Sequence, residues 1–317
     1  MSSRDRQTAP RVRAARGRVL QAACALFLLA CPAAAGLYPA DRLEAESARI
    51  APLVRAIFRD IRAAIPEFDQ SRARDLSLSV PLDGPTPLYF GTRQARSIVV
   101  IPVESVLFLE DFAALDAMFE FRGCDRGWLQ SYARALGRHR TVPPPLDAFG
   151  ITPEDRAGFL AADLAVRAVT ASTLPFLVAH QIGHVLQSGP APAGGSFPPS
   201  AELAADRFAM DRFAERQNRP DGLGLYFQLQ AWQDPSGGGQ HPLAAERMET
   251  IGRRMLQDPD LYADMRGGDR ARWQLDVLAY DLIGMSRLMQ GGQLAGHRDT
   301  VLDRDYPQRG MEGACPS

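Results

Sequence analysis

An α+β domain, mostly helical with a small mixed sheet, is the fold class the sequence predicts, and three observations predict it. Apolar residues recur at spacings of three and four in windows along most of the chain, the pattern of helices that bury one face. Only two short stretches, 76–82 and 98–103, carry the alternating or β-branched pattern of strands. The chain has 317 residues and is 46% hydrophobic, enough for one substantial globular domain or two small ones.

Residues 1–18 hold six arginines (Arg4, Arg6, Arg11, Arg13, Arg16, Arg18) against one acid, Asp5. An apolar run from Val19 to Ala30 follows, then Ala33-Ala34-Ala35 before Gly36. This is the layout of a secretory signal peptide, and the apolar run is too short to span a bilayer. Residues 1–35 are therefore expected to be removed, leaving 36–317 as a single exported domain, periplasmic or secreted, with no transmembrane helix. A second processing site competes: Leu28-Leu29-Ala30-Cys31 loosely follows a lipobox, which would leave an envelope lipoprotein anchored at Cys31, although Leu29 and Pro32 fit it poorly. Loss of the leader takes the formal charge from −1 to about −6, which argues against nucleic acid as a partner.

The elements follow in order. Leu43, Ile50, Leu53, Val54, Ile57, Phe58 and Ile61 predict an amphipathic helix over 41–65, stopped by Pro66. Leu76 to Leu82 reads as a strand ending in the turn Asp83-Gly84-Pro85, Ile98 to Val103 as a second strand, and Val106 to Phe121 as a helix. Residues 122–152, with Gly123, Gly127 and three consecutive prolines, read as an irregular surface insertion. Thr152 caps a helix with Pro153 in its first turn, running to Val169, and Ser172 or Thr173 caps the next, which ends by Ser188-Gly189-Pro190. A Gly/Pro-rich loop reaches Ser200, which caps a helix over 200–210, and helical patterns return over 243–256 and 270–289.

Of four cysteines, only Cys124 and Cys315 survive removal of the leader, and in an oxidising compartment a lone pair reads as one disulfide. No lysine occurs, which excludes lysine nucleophiles and Schiff-base chemistry. Trp128, Trp232 and Trp273 show no spacing pattern and read as packing residues.

The chemistry is concentrated in Leu177-Val178-Ala179-His180-Gln181-Ile182-Gly183-His184. Two histidines four apart on a helix project from one face, one turn apart, and can grip one metal ion. Zinc in a catalytic site takes three protein ligands, and Glu202, across a loop and on the next helix, is the candidate third. Asp206, one turn further along, can accept the second ring N–H of a ligating histidine. The plainer readings are partly buried histidines with ordinary hydrogen bonds and an acidic, solvated helix start.

His180-x-x-Gly183-His184, then Glu202-x-x-Ala205-Asp206, then His241-Pro242 and Arg247 resemble the ordered motifs of the gluzincin-type peptidases that include the heat-shock membrane protease and the CaaX-processing protease. The likeness covers about residues 170–255. It implies a zincin-like domain, zinc on His180, His184 and Glu202, support from Asp206, and His241 and Arg247 near the catalytic cleft. It also suggests the strand at 98–103 as the sheet edge along which a peptide would lie.

This chain departs from that family at position 181. A working member carries there the glutamate that takes a proton from the attacking water; Gln181 can hold a water but cannot accept its proton. The expected protein is therefore a zinc-binding relative, inactive or severely impaired, that binds peptide or protein in the former cleft. Alternatives are an active metalloendopeptidase with a relocated base, drawn from Asp116, Glu120 or Asp125, and a structural or interaction protein without metal.

Overall fold

The computed structural model describes residues 36–93, 97–138, 142–187, 197–233, 245–262, 268–291 and 314–315. Helix α1 (Ala40–Ala63) buries Leu43, Ile50, Val54, Phe58 and Ile61, the face its spacing predicts. A turn of 3₁₀ helix and the short α2 (Gln70–Ala73) lead to β1 (Ser77–Ser79), β2 (Gly91–Arg93) and β3 (Ile98–Val100). The strand order is β1-β3-β2, with β1 parallel and β2 antiparallel to β3. The sheet is small and mixed, as expected, but β3 is its central strand: both of its edges are already paired, so it is not a free edge for a peptide.

Helix α3 (Val103–Arg122) is buried on nearly every side from Val103 to Leu115, which makes it the centre of the core. Three acids lie within that stretch and are matched individually: Arg49 pairs with Glu110, Arg42 and Arg156 pair with Asp111, and backbone N–H groups surround Glu104. This is how a buried carboxylate becomes tolerable in an apolar helix.

The expected surface insertion at 122–152 is overturned. It folds as α4 (Gly127–Gly137) and the short α5 (Pro145–Ala148), with Leu129, Tyr132 and Ala133 fully buried and Tyr132 stacked on Phe112 of α3. Cys124, at its start, forms the predicted disulfide with Cys315, and the Asp125 N–H donates to the Ala314 carbonyl beside it.

Thr152 caps α6 (Pro153–Ala157) with a reciprocal capping box to Asp155, but this helix stops at Gly158 and a new one begins. Helix α7 (Leu160–Ala168) passes through a π-turn (Val169–Thr173) into α8 (Leu174–Gln187) without a break. Ser172 and Thr173 are thus inside a long helix and cap nothing. The Ser172 hydroxyl donates to the Ala168 carbonyl and accepts the Gly222 N–H, at 2.6 and 2.7 Å, which pins the wider turn to the loop before α10. By length and composition residues 160–187 could cross a membrane, yet α8 buries its length among α1, α9 and strands β2 and β3.

Helix α9 (Pro199–Arg216) starts from Pro198, with Ser200 inside its first turn and capping nothing. Helix α10 (Leu223–Gln233), not among the helices the sequence predicts, packs on α4. Helices α11 (Ala245–Gln257) and α12 (Gly268–Gln290) stand where the periodicity predicts helices, and they pack on each other. Trp273 does not pack: it is 64% exposed on α12, with Val277 and Tyr280 exposed along the same face. Trp232, by contrast, is buried and meets Phe112 edge-on.

Candidate metal centre

The site is built where α8 and α9 approach most closely. A Cβ on Gly183 would lie 3.0 Å from Cα of Ala205 and 3.2 Å from Cβ of Phe208, so only glycine lets the two backbones come this near. The glycine inside the histidine motif and the alanine inside the acid motif are therefore one contact. It brings Glu202, in the first turn of α9, opposite His180 and His184.

His180 Nε2 and His184 Nε2 are 3.0 Å apart. Glu202 closes the triangle, with Oε2 3.3 Å from His180 Nε2 and Oε1 3.3 Å from His184 Nε2. Ligand atoms held about 2.0–2.1 Å from a tetrahedral ion lie about 3.3 Å from one another, so the spacing fits one small cation. The imidazole rings stand at 89° to each other with their centroids 4.5 Å apart, so the two rings meet edge to face. All three residues are buried.

Behind the triangle stands a second layer. Asp206 Oδ1 lies 2.9 Å from His180 Nδ1, which fixes the proton on Nδ1 and leaves Nε2 as the donor of a lone pair. Arg247, from α11, grips Asp206 with two hydrogen bonds of 2.7 and 2.8 Å and reaches Glu202 Oε2 at 2.9 Å. The Phe197 ring is stacked on His184 at 3.7 Å, and Phe176 lies near-parallel to His180 at 6.0 Å, so each imidazole is held flat by an aromatic face.

The electrostatics favour a cation. Burial alone would raise the Asp206 carboxyl, but the charge and hydrogen bonds of Arg247, with the hydrogen bond of His180, outweigh it and hold Asp206 down at about 2. His180 is driven down by burial and up, by more, by the hydrogen bonds and charges of Asp206 and Glu202. Two carboxylates and one guanidinium leave this buried cluster with a net negative charge when the histidines are neutral, and a metal ion can supply the balance. Tyr226 of α10, buried beside the cluster, is held well above its ordinary range by burial, and the charges of Glu202 and Asp206 add to that against Arg247.

The structure thus brings together His180, His184, Glu202, Asp206 and Arg247. Arg247, expected near the catalytic cleft, is locked onto Asp206 and Glu202, behind the ligand atoms. Gln181, on the same turn as the histidines, is buried. His241 lies outside the described residues. Of the alternative bases, Asp116 is bound to Arg126, while Glu120 and Asp125 are exposed near the disulfide end of α3; none is among the described contacts of the cluster. Phe197 and Tyr226 escaped the sequence reading. Neither carries a signal in the sequence: Phe197 precedes α9 outside any periodic pattern, and Tyr226 lies on α10, which bears none of the motifs. No protein-family profile, no curated protein and no solved structure matches the chain.

Proposed function

We propose that the chain is an exported zinc-binding protein of zincin-like, metallopeptidase-type architecture whose hydrolytic activity is lost or severely reduced. The observation that carries this reading is the buried His180–His184–Glu202 triangle with Asp206 and Arg247 behind it. Two imidazoles and one carboxylate suit zinc better than calcium or magnesium, which take oxygen donors. A helix bearing two histidines against a small sheet, followed by a helix bearing the third donor, is also the arrangement that the motif resemblance implies. The Cys124–Cys315 disulfide and the arginine-rich, apolar N-terminal segment support an oxidising destination outside the cytoplasm.

Bound zinc would supply Lewis acidity at this point. The proton of an attacking water would have to be accepted at position 181, and an amide cannot do so. Glu202 and Asp206 are committed to the donor triangle and to its support. Loss of general-base assistance is typically worth about 10²–10⁴-fold in rate. Capture of a peptide or protein by the same face rests on the resemblance and completes the reading.

Elemental analysis and peptide hydrolysis, measured together on the natural protein and on Gln181→Glu, test this. About one zinc per chain and a raised thermal midpoint on zinc addition are expected, with cleavage appearing or rising only in the variant. Brisk cleavage by the natural protein would overturn the impairment. A chain that stays free of metal after dialysis against zinc would overturn the whole reading.

A further inference from the structure

Among the described residues, Glu104 is a buried acid with no ion pair to a cation. It sits in the first turn of α3 and is 1% exposed. Its carboxylate accepts N–H groups from Leu37, Tyr38 and Gly84. Burial pushes its carboxyl above the usual glutamate range, those three N–H groups pull it back, and the charged neighbour that bears on it, Asp83, has the same sign. The contrast lies on the same helix, where Glu110 has Arg49 and Asp111 has Arg42 and Arg156. An acid in a helix's first turn is ordinarily explained by the helix dipole. That does not explain why the carboxylate is buried under the chain's first described residues.

Those residues point to the answer. A Cβ on Gly36 would lie 3.0 Å from Glu104 Oε1, so the α-carbon of Gly36 lies beside the carboxylate. The Gly36 nitrogen is one bond from that Cα. As an amide it is neutral; as a chain terminus it would carry a positive charge. The small-residue run Ala33-Ala34-Ala35 ends immediately before it.

We infer that Glu104 is the receptor for an α-ammonium created by cleavage between Ala35 and Gly36, so that leader removal completes a buried ion pair between the new N-terminus and α3. A signal-type peptidase acting in trans hydrolyses the bond. The C–N bond breaks and water supplies hydroxyl to the Ala35 carbonyl carbon and hydrogen to the Gly36 nitrogen. At neutral pH Ala35 departs as a carboxylate and the Gly36 amine, with an ordinary pKa near 8, is protonated. The pair has the three backbone N–H groups as additional partners, the condition under which a buried ion pair is favourable. Glycine fits the first mature position because a side chain there would press on Oε1. This inference rests on the export part of the proposed function and is independent of the metal site.

The chain contains no lysine, so the Gly36 α-amine is the only primary amine of the processed protein and an amine-reactive ester reads it alone. The full chain is exported, purified and weighed intact, then labelled with an N-hydroxysuccinimide ester at pH 7, natively and in urea. A mass corresponding to residues 36–317 is expected. Native labelling should be slower than denatured labelling by about tenfold or more, the factor given by one unit of raised amine pKa. In Glu104→Gln, which removes the charge and keeps one acceptor oxygen for the backbone N–H groups, that protection should fall to near unity. Should that variant fail to fold, a form with one extra glycine before Gly36 is expected to lose the protection instead. A different N-terminus, a lipidated Cys31 included, or equal native and denatured labelling of the natural protein, would overturn the inference.

Discussion

Arg247 illustrates how much one buried side chain can organise. It is fully enclosed, yet two hydrogen bonds to Asp206 and an ion pair with Glu202 engage its fork, and Asp206 passes the constraint to His180. Removing the arginine would leave two carboxylates to face each other in a dry setting. Asp111 presents the reverse case. Although Arg42, Arg156 and the Tyr38 hydroxyl all touch it, burial dominates and its carboxyl is pushed up from 3.8 to about 6. A carboxyl with a raised native pKa binds more protons folded than unfolded. Its contribution is therefore complete below about pH 4 and is lost as pH rises through about 6. Asp111→Asn cannot ionise, so its stability relative to the natural protein is expected to improve between pH 4 and pH 7, by up to about 3 kcal/mol. Urea unfolding at the two pH values measures this, and a gap that moves against the variant would show the ionised form to be the favoured one.

At the scale of elements, the centre depends on how closely α8 and α9 approach. Gly183→Val forces a branched side chain into Ala205 and Phe208, which must displace α9 and Glu202 with it. Overpacking of this kind costs about 1–3 kcal/mol. A weakening of zinc binding by roughly tenfold or more, read by competition with a chromogenic chelator, is the expected companion, since about 1.4 kcal/mol of lost ligand placement suffices for it. Unchanged affinity would mean that Glu202 is placed by something other than this contact. That His180 and His184 share one helix face, and Glu202 and Asp206 another, was legible because helical spacing of four fixes which side chains lie together, while the meeting of the two pairs was what the motif resemblance implied. The partnership of Arg247 with both acids was not legible, because it joins two helices that are not consecutive in the chain, with Arg247 and Asp206 41 positions apart. Strand β2 was hidden by its shortness and its glycine. Leu129, Tyr132, Ala133 and Leu136 do carry helical spacing, but Gly123, Gly127 and the prolines around them gave a stronger loop signal than four apolar positions could offset. The π-turn was invisible for a different reason: Ser172, Thr173 and Pro175 are the residues of a helix start, and here a hydrogen bond to the Gly222 loop recruits the serine into a helix that continues.

For the whole molecule, the Cys124–Cys315 bond is the longest-range tie between described residues, spanning 191 positions of sequence. In the chain-entropy account a loop of that length is worth roughly 5 kcal/mol, drawn mainly from the unfolded state. Replacing both cysteines by serine is expected to lower stability by up to that amount while zinc content stays at its natural value, because no ligand lies at that end of α3. Urea unfolding with metal analysis separates the two effects, and loss of zinc on replacement would show that the two regions are coupled. The same span has a consequence in time. A chain is synthesised, and threaded across any membrane, from its N-terminus, so Cys124 emerges well before its partner and the helices of the metal centre emerge between them. The crosslink can close only after those helices have had the opportunity to fold. It seals an order already established, and a thiol still reactive at Cys124 is the chemical mark of a chain not yet finished.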